Sequence, residues 1–170
     1  MNSISWYPTL AVLFVATAID IHSRRIPNWL VLPFLLAGFA VSALGLGSIG
    51  FIQSLQGFAL AVAVAGVLCW LRGMGMGDLK LCAAIGAWIG PDQLVVALVM
   101  TGVFGAIMAI LWALWNGALR ESFKGAGDLL ISWRTGLRPH ATLVLDNPAK
   151  LKMPYAPAIA LGTIFSFFSI

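Results

Sequence analysis

The sequence predicts an all-α membrane protein with six transmembrane helices, both termini outside and three basic cytoplasmic loops. Three observations carry this expectation. Of 170 residues, 61% are hydrophobic and only 9% are charged, whereas a soluble domain carries about a quarter charged residues. Water cannot solvate such a surface on all sides. The apolar residues also fall into six runs separated by polar or glycine-rich breaks. Finally, a six-span path puts all ten Lys and Arg on one side.

The first run extends from Ile4 to Ile21 and carries Asp20 near its end. Met1 to Ser5 has no Lys or Arg, unlike the basic start of a secretory signal, so this run reads as a retained helix. The segment His22-Ser23-Arg24-Arg25-Ile26-Pro27-Asn28 follows as a polar turn. Pro27 disfavours helix at Ile26 and so separates two helices. The second run is Trp29 to about Gly47, and Gly45, Gly47 and Gly50 form a charge-free turn. The third is about Ile52 to Leu71, closed by Arg72. The fourth runs from Asp78 to Gly90, where Pro91-Asp92 is expected to break it. At 1.5 Å per residue it is roughly 20 Å long, against a hydrocarbon core of about 30 Å. Asp78 is then recessed by on the order of 10 Å from the near interface, unless the bilayer thins locally. The fifth run is Leu94 to Trp115, and the sixth is Pro154 to Ile170. Between them lies a polar segment, 116–153, that carries Leu129, Leu130, Ile131 and Trp133 among basic residues. It reads either as an interfacial helix or as a solvated loop. The chain 1–170 is expected to be a single polytopic domain, with 116–153 as a long cytoplasmic loop and no internal repeat.

Orientation follows from the charges. Arg24 and Arg25 follow the first run, Arg72 and Lys80 flank the glycine stretch, and Arg120, Lys124, Arg134, Arg138, Lys150 and Lys152 occupy the long loop. The positive-inside rule makes these three loops cytoplasmic. Trp6 and Trp88 are expected in the outer aromatic belt, and Trp29, Trp70, Trp112 and Trp115 in the inner one. The net charge of +4 is therefore a topology signal, and nucleic-acid binding is not expected. Cys69 and Cys82 lie in apolar runs and read as small buried hydrophobes, with no disulfide framework, zinc set or haem attachment. His22 and His140, the only histidines, have no metal-pair spacing, and there is no P-loop or G-x-S-x-G motif. No metal and no cofactor are expected.

The chemistry centres on Gly73-Met74-Gly75-Met76-Gly77-Asp78-Leu79-Lys80. Alternating glycines give irregular backbone that other groups approach closely. Such backbone survives at membrane depth only inside protein or beside a water-filled cavity, and an ionisable residue there points to function. With six helices placed, Asp20 and Asp78 both fall at cytoplasmic helix ends. Two carboxylates a few ångströms apart cannot both ionise, so the pair shares a proton. One acid and one base then activate water and protonate a leaving amine, which is peptide hydrolysis without a metal or a nucleophilic side chain. Helix polarity assigns the acid role to Asp20 and the base role to Asp78, while greater depth at Asp78 acts the other way. The plainer alternative makes each Asp a solvated interfacial charge, with Arg24 paired to Asp20 one turn away.

These residues bear a family resemblance. Gly75-Met76-Gly77-Asp78-Leu79-Lys80 resembles the Gly-x-Gly-Asp motif of membrane aspartyl proteases. Asp20, followed by Ile26-Pro27-Asn28, resembles the first-aspartate signature of type IV prepilin peptidases. Pro154-Tyr155-Ala156-Pro157, leading to Ala160-Leu161-Gly162, is similar to that family's last-helix motif, with Tyr155-Ala156 where many members have Phe-Gly. The resemblance implies an inner-membrane endopeptidase that removes the basic leader of prepilin-like precursors at the cytoplasmic face. It implies Asp20 and Asp78 as the catalytic pair, supported by Pro27, Asn28, Gly75, Gly77, Lys80, Pro154 and Pro157. Longer members carry a cytoplasmic domain with paired Cys-x-x-Cys motifs and N-methylate the product. The size and cysteine content here are similar to the short peptidases of tight-adherence (Flp) pilus systems, for which methyl transfer is not expected. The expected partners are precursor proteins and the lipid bilayer. The oligomeric state stays open. Two readings from other classes are an ion-coupled transporter subunit and a non-enzymatic scaffold of a pilus or secretion machine. A transporter prefers midplane charges in paired broken helices, and a scaffold tolerates loss of both carboxylates.

Overall fold

The computed structural model describes residues 3–23, 26–47, 49–71, 74–115 and 154–169. All regular structure among them is helical: α1 (Ser3–Ser23), α2 (Asn28–Ala43), α3 (Phe51–Trp70), α4 (Met76–Trp115) and α5 (Ala156–Ser169). The chain divides into two compact units, Met1–Gly105 with Pro154–Ile170, and Ala106–Met153. The expected loop 116–153, and nine of the ten basic residues used for orientation, lie outside the described residues; Lys80 is the exception.

Helix α4 carries the expected break at Gly90. It is two limbs, 76–89 and 91–115, joined at Gly90, whose φ of 77° and ψ of 178° are non-helical. That backbone region belongs almost entirely to glycine. Pro91 therefore does not end a helix but opens the second limb, where its missing N–H costs nothing. It also pushes Gly90 out of the helical region.

The first limb is the centre of its unit, since every residue from 81 to 90 is buried. Small residues let its neighbours close in. A Cβ at Gly57 of α3 would run into the carbonyl of Gly86, and one at Gly38 of α2 would stand 2.8 Å from the Trp88 indole. Hydrogen bonds add to this packing: Ser54 Oγ donates to the Ala87 carbonyl at 2.6 Å, and Trp88 Nε1 donates to the Phe34 carbonyl at 2.8 Å. The Phe34 and Trp88 rings stack at 5.1 Å. Trp88 is only 5% exposed, so it is a core residue and not part of an outer belt. Its N–H is satisfied internally, as a buried indole requires.

Helix α5 lies antiparallel along α1. Trp6 near the start of α1 meets Phe167 near the end of α5 at 4.0 Å, while Asp20 near the end of α1 meets Ala156 at the start of α5. Gly162 seats α5 against the second limb of α4, where a Cβ would stand 2.6 Å from the Ala97 carbonyl oxygen.

Burial is inverted relative to a water-soluble bundle. The interior holds Thr9, Asp20, Ser42, Ser54, Thr101, Thr163 and Ser166, while Phe14, Trp29, Leu36, Trp70, Trp115 and Phe168 are exposed. Small and hydroxylated residues inside with large apolar ones outside is the pattern of helices packed in lipid. Phe51–Trp70 and Met76–Trp112 are long and apolar enough to cross a membrane, and Asn28–Ala43 and Ala156–Ser169 are shorter apolar helices.

Candidate active site

Four chain segments meet at one end of the first unit. Asp20 comes from the last turn of α1 and is 5% exposed. Its Oδ2 accepts a hydrogen bond from the backbone N–H of Ala156, the first residue of α5, at 3.0 Å. Asp78 lies in the first turn of α4 and is half-buried. Its carboxyl accepts a hydrogen bond from the backbone of Gly75 and lies within electrostatic reach of Asp20. Asp78 is the third residue of its helix and reaches back to the residue before the helix, which is half of a capping box. A glycine of the motif thus supplies the donor to Asp78.

The remaining motif residues frame this pair. Pro27 precedes α2 in extended conformation, with φ −75° and ψ 141°. Asn28, the next residue, accepts a hydrogen bond from Lys80 Nζ at 3.0 Å. Gly77 lies against Ile26, where a Cβ would stand 3.2 Å from the Ile26 Cβ. The segment after Asp20 and the segment around Asp78 are therefore joined at two points, 26 to 77 and 28 to 80. A side chain at Gly75 would crowd Asp78, with a Cβ 3.0 Å from its Oδ2. Pro154 and Pro157 flank Tyr155 and Ala156 at the entry to α5. The partner expected in the plainer reading, Arg24, lies outside the described residues.

Cys69 and Tyr155 make contacts near this pair that the sequence reading did not give them. Cys69 is half-buried, and its thiol donates to the Gly75 carbonyl at 3.4 Å, so it is more than an inert filler. Cys82, one turn after Asp78, is fully buried as expected. Tyr155 packs its phenol against Gly105, where a Cβ would stand 2.7 Å from the hydroxyl oxygen, and it lies within electrostatic reach of Asp78. The backbone N–H of Ala156 was invisible because the sequence records side chains and not which amide a carboxylate meets. The nearest signal was the pair of prolines around it.

The type IV leader peptidase family matches residues 8–110. The chain is similar to the prepilin leader peptidase/N-methyltransferase of Burkholderia pseudomallei strain 1026b, 36% identical over 122 residues, covering 65% of this chain and 37% of that protein. It is similar to the protein of the same description from Aeromonas hydrophila, 37% identical over 111 residues, covering 58% and 36%. It is also similar to the one from Bacillus subtilis strain 168, 27% identical over 161 residues, covering 93% and 52%. The matches thus span roughly a third to a half of these relatives' length. No solved structure matches. The family match takes in most of α1, all of α2 and α3 and most of α4, more than half of the chain including both aspartates, and the chain belongs to the type IV leader peptidase family.

Proposed function

We propose that the chain is a membrane-embedded aspartyl endopeptidase that removes the leader of prepilin-like precursors at the cytoplasmic membrane face, with Asp20 and Asp78 as its catalytic dyad. The observation that carries this reading is the pairing of two carboxylates from different helices, each accepting a backbone hydrogen bond, with Asp78 within electrostatic reach of Asp20. One activates water for attack on the scissile carbonyl, and the other protonates the departing amine. Gly75, Gly77, Lys80 and the Pro27-Asn28 turn hold the α4 start against the α2 start. Pro154 and Pro157 shape the entry to α5.

The chain crosses the inner membrane six times, with both termini outside and the basic loops in the cytoplasm. The first limb of α4, from 76 to 89, is about 21 Å long at 1.5 Å per residue, so the dyad sits below the headgroup level of an average bilayer. The apolar helix that follows the leader provides most of the substrate affinity, because a basic leader is repelled by basic loops.

The test is cleavage of a full pilin precursor by the purified chain in detergent or bilayer, with the new N-terminus mapped by mass spectrometry. Cut product at the leader junction is expected with wild type, with and without a zinc chelator, and not with Asp20→Asn or Asp78→Asn. Turnover near wild type by either variant removes the dyad. Inhibition by the chelator indicates a metal mechanism.

A further inference from the structure

The first turn of α5 has an unusual donor inventory. A helix leaves its first backbone N–H groups without intrahelical partners. Here Ala156 is the first helical residue, and Pro157, the second, has no N–H at all. The N–H groups of Ala158 and Ile159 both turn back to the Tyr155 carbonyl, at 3.0 and 3.3 Å. That leaves the Ala156 N–H as the only uncommitted donor of the turn, and it goes to Asp20 Oδ2 at 3.0 Å in a buried setting.

We propose that the start of α5 is the positioning device for Asp20: the Ala156 N–H, isolated by Pro157, fixes Oδ2 and leaves Oδ1 for substrate or water. This rests on the reading of Asp20 as catalytic and extends it to a backbone group on another helix. The physical case has three parts. A buried carboxylate needs a donor, and leaving it unpaired is costly. The donor sits at a helix N-terminus, whose partial positive charge favours a carboxyl group there. The helix that presents it is held elsewhere, by Trp6 on Phe167 at 4.0 Å and by the close seat of Gly162 on Ala97 and Thr101. Asp20 is thereby referenced to the residue after Tyr155, whose phenol packs against Gly105 of α4. The Pro154-Tyr155-Ala156-Pro157 segment then acts through Asp20 and touches no reacting atom itself.

Ala156→Pro is the direct test: proline is favoured at the first helical position and lacks the N–H, and because Ala156 is fully buried and the ring adds carbons beside Oδ2, its fold is verified first. Misplacement of a reacting group by about an ångström costs roughly 100-fold. The expected result for Ala156→Pro is therefore a loss in kcat of about 10- to 100-fold, with KM for the precursor little changed and a shifted pH profile of kcat. Ala156→Gly keeps the N–H and is expected within about threefold of wild type, well inside that loss. If Asp20→Asn is inactive while a folded Ala156→Pro keeps wild-type kcat and pH profile, the positioning role is overturned and the peptidase reading stands. If Asp20→Asn is active, the peptidase reading fails first. Should Ala156→Pro not fold, the contact is read in otherwise intact protein by the Ala156 amide proton resonance. It is expected to lie downfield and to move upfield in Asp20→Asn. An amide shift indifferent to Asp20 overturns the proposal.

Discussion

At the residue scale, the site is a set of short polar ties between segments far apart in sequence. The tie of Lys80 to Asn28 spans 52 positions, and that of Ala156 to Asp20 spans 136. The Lys80–Asn28 pair is exposed, so its contribution to stability is small, at most about 1 kcal/mol. Its value lies in holding the turn before α2 against the start of α4. Asn28→Ala and Lys80→Ala are each expected to lower kcat/KM by about tenfold, which corresponds to roughly 1.4 kcal/mol of transition-state stabilisation. The double variant should be little worse than either single, because both remove one contact. Multiplying losses in that cycle contradict the tie. The two aspartates, the glycines and Lys80 were legible in the sequence because chemistry at that spacing has few other uses. Trp88 was misread because an aromatic in a lipid interface and an aromatic in a core are the same letter. Only the Phe34 carbonyl at 2.8 Å separates the two.

At the element scale, the helices follow from the apolar runs, and their boundaries fall close to the polar and glycine breaks. What the runs did not reveal is which helix is central. The first limb of α4 reads as a short, marginal span, yet it is buried over 81–90. Its rank comes from Gly57 and Gly38 on its neighbours, and pairings between helices leave no periodic trace in one chain. Gly57→Ala places a Cβ against the Gly86 carbonyl and is expected to destabilise by about 1–3 kcal/mol, the usual cost of overpacking. Gly66→Ala, where a Cβ meets nothing within 4 Å, is expected to stay within about 0.5 kcal/mol of wild type. Gly90→Ala puts a side chain at φ 77° and should cost about 1–3 kcal/mol. Thermal unfolding in detergent measures all three. Equal melting temperatures for Gly57→Ala and Gly66→Ala contradict the close approach of α3 to the first limb.

At the scale of the molecule, the inverted burial pattern and the aspartate pair belong to one design. An exterior of large apolar side chains, the surface expected to face lipid, leaves small and hydroxylated residues to pack the helices closely. Close packing in turn brings helix ends, and the carboxylates on them, to one place. The expected orientation is checked by tags at each terminus and within 116–153, probed from each side of sealed vesicles. Both terminal tags should respond only from outside and the internal tag only from inside; a terminal tag on the cytoplasmic side breaks the six-span path. The central claim is that Asp20 and Asp78 act as one unit in peptide hydrolysis. The most direct measurement is kcat/KM for precursor cleavage by Asp20→Asn, Asp78→Asn and the double variant, each verified as folded. Each single substitution is expected to lose at least the about 10²–10⁴-fold that acid–base catalysis supplies. The double variant should be no worse than the poorer single, since members of a unit are strongly non-additive. Losses that multiply in the double variant, or near-normal cleavage by either single, would contradict the account.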